Sequence, residues 1–404
     1  MAQSVVIIGQ GYTGRLSLVR SVASMGCDIT LIVLLSKVMF DCRRKEKPID
    51  SCSKYVNRVL YSENYNSEML ISILQEKCVV PNRKTVLFPD NDFSAAAIDN
   101  YRDILNEHFY IPHIHERQGA IEEWMDKVRQ KALAEQIGLD VAKSIVVDVF
   151  DCKYSIPDAI HYPCFAKPLM SIVGGKSGLR RCDSEKDLKD HIDSLITKHG
   201  SFRILVEEFK FIDTEYATLG FSNGEEVIIP GVLELLHVGH GSHFGVAVQG
   251  AVSPVNEEMK ALVGLFKTLV KEIGFVGIFD IDFYKSQGLF YFCELNLRFG
   301  GSGYAFTKMG VNLPVMMMRH FLGEDYNDMN KVVSGTALYF NERMALDDWY
   351  GGYISLKDYL KYRNESDIRF VDDEKDRAPQ RLLMKRFLVS MAKKSIKKWI
   401  RRES

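Results

Sequence analysis

Glu294, Asn296 and Arg298 stand at every second position just past an apolar run, residues 289–292, and Gly300-Gly301-Ser302-Gly303 follows at once. On a strand that spacing turns all three side chains to one side. A carboxylate, an amide oxygen and a guanidinium gathered on a buried strand are costly unless a ligand satisfies them, and a carboxylate beside an amide oxygen is hard-cation chemistry. The plainer reading, a surface hairpin with outward charges, is disfavoured by the apolar lead-in. A second acid supports a ligand site. Residues 277–283 form another strand pattern and Ser286-Gln287-Gly288 supplies the turn, so Asp282 and Glu294 are expected on paired antiparallel strands.

With that pairing the chain resembles the ATP-grasp superfamily, whose metal site is an acid on one strand and Glu-x-Asn on the next. Asp282, Glu294 and Asn296 stand at those positions, followed by the Arg298 and glycine-rich turn that many carboxylate-amine ligases and carbamoyl-phosphate-synthase-like members carry. The resemblance makes Lys127, in Met125-Asp126-Lys127, the first phosphate-contacting lysine, although spacing alone reads it as a solvated helix residue. Lys167 lies in an apolar strand before Pro168, where a lysine is rarely buried without a partner, and phosphate is the natural one. The loop 171–178, with Gly174, Gly175 and Ser177, is donor-rich and matches the family's phosphate-covering loop; by itself it also fits an ordinary hairpin connection. Glu207, Glu208, Phe209 and Lys210 fall where the family reads adenine, with the choice between the two acids open, and Glu215 falls at the ribose acid. His240, Arg298, Gly301 and Ser302 are the expected acceptor-substrate contacts.

These residues need elements to position them. Residues 4–8 form a buried strand, then Gly9-Gln10-Gly11-Tyr12-Thr13-Gly14 opens a helical pattern, formally a dinucleotide fingerprint. The second strand, residues 29–35, ends in Leu35-Ser36-Lys37 and lacks the ribose-binding acid. We therefore read these glycines as structural, with a nicotinamide oxidoreductase as the alternative. Strand and helix alternate up to residue 112, implying a parallel sheet. A single helix is expected over residues 119–137, closed by Gly138. The expected fold class is α/β and α+β: a Rossmann-like N-terminal domain (1–113), an ATP-grasp fold of two α+β subdomains (114–340), and a helical basic C-terminal extension (341–404).

Composition sets limits. The 404 residues, 46% hydrophobic and 26% charged, suffice for two or three domains. Residues 381–404 hold nine Lys/Arg and one acid, leaving 43 basic against 52 acidic residues before them, so a nucleic-acid-binding body is not expected. The eight cysteines show no paired spacing, and His237, His240 and His243 lack a completing zinc ligand. The N-terminus shows neither a signal peptide nor a membrane span. In the tail, Met384, Leu388, Met391, Ile396 and Trp399 oppose a crowd of lysines and arginines, a basic amphipathic helix suited either to an anionic membrane surface or to docking on the acidic body.

What the resemblance implies is an ADP-forming carboxylate-amine ligase working through an acyl phosphate, with ATP and Mg2+ or Mn2+ as cofactors and Lys167 and Arg298 as charge-stabilising groups. Its partners would be a small-molecule carboxylate and an amine, with a homodimer compatible. Its expected place is the cytoplasm, with the inner membrane face as the tail's option. A carbamoyl-phosphate-like or thiol ligase is the same-fold alternative. A nucleotide-binding regulatory protein or pseudoenzyme is the alternative of another class.

Overall fold

The computed structural model describes residues 2–41, 47–169, 179–240 and 246–403. In the N-terminal region β1 (Ser4–Gly9) and β2 (Asp28–Leu35), almost wholly apolar and buried, pair in parallel. With β3 (Arg58–Glu63), β4 (Thr85–Pro89) and β5 (Phe109–Tyr110) they form a parallel sheet in the order β3-β2-β1-β4-β5. Helix Tyr12–Val22 follows β1, and helix Asp92–Asn100, capped by the Asn91 side chain, follows β4. The alternation expected from sequence is present.

The glycine loop after β1 is filled from within the protein. A Cβ on Gly9 would lie 1.5 Å from Asp90 Oδ1, and one on Gly14 would lie 3.0 Å from Asp90 Oδ2. The Asp90 carboxyl is therefore packed into the space those glycines open. A carboxyl there takes up the space a pyrophosphate would need. Gly11 has nothing within 4 Å of its would-be Cβ.

At β6 (His113–Ile114) the chain leaves the first sheet for another, described below. A second sheet, antiparallel throughout, holds β7 (Ser144–Val149), β8 (Cys164–Pro168), β9 (Arg180–Cys182) and β10 (Phe202–Glu208) in the order β7-β10-β8-β9. Leu188, Ile192 and Leu195, from helix Glu185–His199, pack against Val147, Ala166 and Ile204 beneath it.

The third sheet contains β11 (Thr214–Asn223), β12 (Val227–Ile228), β13 (Val232–Val238), β14 (Ala247–Ser253), β15 (Phe275–Ser286), β16 (Leu289–Asn296), β17 (Ala337–Phe340) and β18 (Ile368–Arg369). Its main order is β16-β15-β11-β13-β14-β17-β18, with β6 on β15 and β12 on β11. Helix Lys260–Ile273 covers one face through Phe266, Leu269 and Val270, which pack with Phe279, Ile281, Phe283 and Phe292.

The β15–β16 hairpin has the expected turn and one unexpected irregularity. Asp282 faces Glu294, but Phe283 faces Phe292, so Cys293 is an extra residue on β16. This β-bulge changes the phase of the strand. Without it Glu294 would follow Phe292 onto the core face; with it Glu294 and Asn296 stand opposite Asp282 and Asp280, while Leu295 returns to the core. The poor alternation over residues 289–292 leads into this slip.

Beyond β17, helices Glu342–Gly351 and Leu356–Glu365 lead to β18, and helix Ala378–Glu403 follows. The first turns of that last helix are docked: Leu383 is buried and Phe387 lies 4.8 Å, ring to ring, from Trp349. Residues 370–376 close on helix Tyr12–Val22. Buried Arg20 donates to the Phe370, Val371 and Asp376 carbonyls at 2.8, 2.9 and 2.9 Å and to Asp376 Oδ2 at 3.1 Å. Among the described residues no helix is long and apolar enough to cross a membrane.

Candidate functional site

The helix expected over residues 119–137 is two helices, Ala120–Trp124 and Lys127–Gln136. Asp126 divides them, its carboxylate accepting from the N–H groups of Val128 and Arg129 at 2.8 and 3.2 Å. Lys127 thus becomes the first residue of the second helix. Its buried ammonium is paired with the Glu294 carboxylate of β16. One turn on, Gln130 brackets the Leu295 backbone, donating to its carbonyl at 2.8 Å and accepting from its N–H at 2.9 Å. Lys131 reaches the other way, to the Ala142 carbonyl at 3.0 Å and the Glu207 carboxylate of β10. Residues i, i+3 and i+4 of one helix therefore tie the second sheet to the third.

Lys131 carries no motif of its own. Its only linear signal is its place one turn after Lys127, and its partner is 76 residues away. Lys167, buried on β8, is 2.8 Å from the second oxygen of Glu207. Burial opposes the charge of Lys167, but Cys293 and the Glu207 and Glu294 carboxylates hold its pKa above the ordinary lysine value. Burial likewise opposes the charge of Glu207, yet the two ammoniums keep its pKa below the usual range.

The register separates the two neighbouring acids. Glu207 shares a face with Lys167, whereas Glu208 turns to the rim, where it accepts from the Lys143 N–H at 3.0 Å and pairs with Lys210 at 3.0 Å. Phe209 packs edge-on to Phe211 with the Arg181 guanidinium 4.3 Å from its ring centre. Glu215 lies on β11 opposite Tyr284 and Leu235. Gly174, Gly175 and Ser177 lie outside the described residues.

Asp282, Glu294 and Asn296 come together as expected, with Asn296 Nδ2 donating to Asp282 Oδ2 at 3.3 Å. A third acid, Asp280, stands opposite Asn296. Burial, then the charges of Asp280 and Glu294, push the Asp282 pKa well above the usual carboxylate range. Glu294 moves the opposite way: burial opposes its charge, and Lys127 overcomes that. Asp280 Oδ1 is buried without a hydrogen-bond partner. Carboxylates crowded at this cost beside an amide suit a divalent cation, so the donor set fits Mg2+ or Mn2+. No group of three or more His, Cys, Asp or Glu among the described residues could hold a metal alone, so phosphate and water oxygens would have to complete the shell.

Arg298 departs from the expected strand, since β16 ends at Asn296. Its guanidinium donates to Asp92 Oδ1 at 3.0 Å and to Asp280 Oδ2 at 3.2 Å. Asp92 opens helix Asp92–Asn100, so the arginine joins the N-terminal domain to the acid cluster. The Gly301 carbonyl accepts from Ser17 at 3.5 Å; Ser302 follows it in the short helical turn Gly301–Gly303. His240 lies apart from this cluster in sequence and partners: its Nδ1 is 2.9 Å from buried Asp348, and its ring stacks on Tyr353 at 4.9 Å.

Residues 132–313 match the model of the ATP-grasp domain. That span contains every residue of the acid cluster except Asp92, and Lys127 and Lys131 stand just before it. The chain is 25% identical over 206 residues to the carbamoyl phosphate synthase large chain of Clostridium perfringens, covering 50% of this chain and 19% of that one. Its counterpart in Clostridium botulinum is 28% identical over 171 residues, 42% of this chain and 16% of that one. The match thus spans under a fifth of these relatives. Among solved structures, an N5-carboxyaminoimidazole synthetase from Staphylococcus aureus complexed with ADP superposes with a TM-score of 0.62 at 17% identity, covering 87% of this chain and 86% of that one. A biotin carboxylase–ATP complex from Campylobacter jejuni gives 0.61 at 18%, covering 84% and 75%. An L-amino acid ligase from Bacillus licheniformis gives 0.60 at 18%, covering 83% and 79%. These likenesses establish the fold.

Proposed function

Because the chain carries an ATP-grasp domain, we propose that it is an ADP-forming ligase joining a small carboxylate to an amine. The carrying observation is that one helix links Lys167 and Glu207 of the second sheet to Asp282, Glu294 and Asn296 of the third, through Lys131 and Lys127. Asp282, Glu294 and Asn296 would hold the cation, which when bound offsets the charge of the β- and γ-phosphates. Lys127 and Lys167 exchange their carboxylate partners for phosphate oxygens, and Glu207 faces the base.

No side-chain nucleophile is required. A substrate carboxylate oxygen attacks the γ-phosphorus, ADP leaves, and an acyl phosphate forms; the amine nitrogen then attacks the acyl carbon, loses a proton and expels phosphate. Positioning and charge stabilisation account for the rate. Arg298, fixed between Asp92 and Asp280, is placed to hold the carboxylate or the developing phosphate charge. Residues 1–113 and 341–404 then flank a nucleotide-binding middle, and the tail is proposed to rest on an anionic membrane surface.

The experiment is ADP release and product mass spectrometry with ATP, Mg2+ and a panel of carboxylates and amines. Absence of ADP release across the panel, with nucleotide bound, would favour a regulatory protein. A carbamoyl-phosphate-like reaction is the second reading, favoured by the match to the synthase large chains; bicarbonate with ammonia as the only substrates separates it.

A further inference from the structure

We propose that Lys131 is a positioning residue for nucleotide selection, holding the Glu207 carboxylate ionised and aimed so that the site prefers a purine bearing a 6-amino group. The inference rests on the nucleotide-site reading above. Glu207 is 8% exposed and divides its two oxygens between two ammoniums, Oε1 to Lys131 and Oε2 to Lys167 at 2.8 Å. Those ammoniums are not equivalent. Lys167 ends a strand beside the acid cluster and is the one a phosphate chain would draw away. Glu207 would then be a buried carboxylate short of a partner, and such a group takes up a proton.

Lys131 prevents this because it is held. It is 4% exposed, its ammonium also donates to the Ala142 carbonyl at 3.0 Å, and Gln130 beside it pins the helix to Leu295 through two hydrogen bonds. It therefore stays on Glu207 when Lys167 leaves. A carboxylate kept ionised only accepts hydrogen bonds. It suits the exocyclic N–H of adenine and opposes the carbonyl oxygen that hypoxanthine or guanine presents at that position, and a buried mismatch of this kind discriminates strongly.

The test is calorimetric titration of ATP and of inosine triphosphate, which carries a carbonyl in place of the 6-amino group. The proteins are wild type, Lys131→Met, Glu207→Gln and the double variant, with melting curves to confirm folding. Lys131→Gln, which retains a donor for the Ala142 carbonyl, is measured alongside in case the Met variant does not fold. The expected result is that wild type prefers ATP and that either Lys131 variant loses at least tenfold of that preference. ATP affinity should fall while that for inosine triphosphate holds, and the double variant should lose no more than Glu207→Gln alone. Equal weakening of both nucleotides, or a preference within threefold of wild type, would overturn the role of Lys131. Wild type binding neither nucleotide would overturn the nucleotide-site reading itself, so the two failures are distinct.

Discussion

At Glu294 one carboxylate meets Lys127 and faces Asp282 across the ladder, so in the proposed reaction its charge would bear on both the cation and the phosphates. Glu294→Gln and Asn296→Ala should each lower Mg2+-dependent ADP formation about a hundredfold or more, since one positioned charge or ligand typically contributes about 3 kcal/mol. Turnover within about threefold of wild type in both would remove the site. Asp90 permits a different measurement. Burial raises its pKa to about 7, against the opposing pull of Arg15 and Arg298. The native state thus binds the proton more tightly than the unfolded chain, and this group's contribution to stability falls as pH rises from about 4 to about 7. Asp90→Asn, which does not titrate, should gain on wild type by up to about 1.4 kcal/mol per pH unit across that window, then hold level. Urea unfolding at several pH values reads it; a constant gap would contradict it. The acids Asp282 and Glu294 were legible in the sequence because strand alternation is visible in one dimension. Lys131 and the choice of Glu207 over Glu208 as the partner of Lys167 were not, because the first depends on a helix packed against a strand 76 residues away and the second on the register of β10 against β8.

The two glycine-rich turns show what an element reveals in sequence and what it hides. Gly9-x-Gly11-x-x-Gly14 formally asks for a dinucleotide, and the missing acid after β2 argued against it. Sequence could not show that a carboxyl from the end of β4 fills the loop. Gly9→Ala should destabilise the protein by about 1–3 kcal/mol, as an overpacked buried site does, whereas Gly11→Ala should leave stability and nucleotide affinity near wild type. Thermal melts and ATP titration of both variants check this, and nucleotide binding lost by Gly11→Ala alone would restore the nicotinamide reading. The bulge at Cys293 was hidden for a related reason. Alternation places Glu294 and Asn296 on the face of Phe292, and only pairing with β15 shows that the strand slips between Phe292 and Glu294.

For the whole molecule, the parallel sheet and the paired acid strands were readable from apolar runs and turn residues. Docking of the C-terminal helix on the body was one of its two sequence readings; which of its turns dock was not legible. Residues 382–387 pack beside Phe340, Met344 and Trp349, so the membrane experiment should remove only residues 390–404. Full-length protein should co-sediment with anionic vesicles, weakly with neutral ones, and less at high salt; the truncation should not. Equal binding by both proteins would refute tail attachment.

Arg20 bears on how the protein is made. Its carbonyl acceptor at Phe370 lies 350 residues further along the chain. During synthesis residues 1–110 emerge long before the backbone that covers this guanidinium, which until then is left to water. That face of the β1–β5 region is therefore expected to stay uncovered until residues 370–376 have been made. A chain cut before residue 370 should exchange the amide hydrogens of helix Tyr12–Val22 faster than the 404-residue chain does; equal exchange would show that the segment adds nothing to the helix.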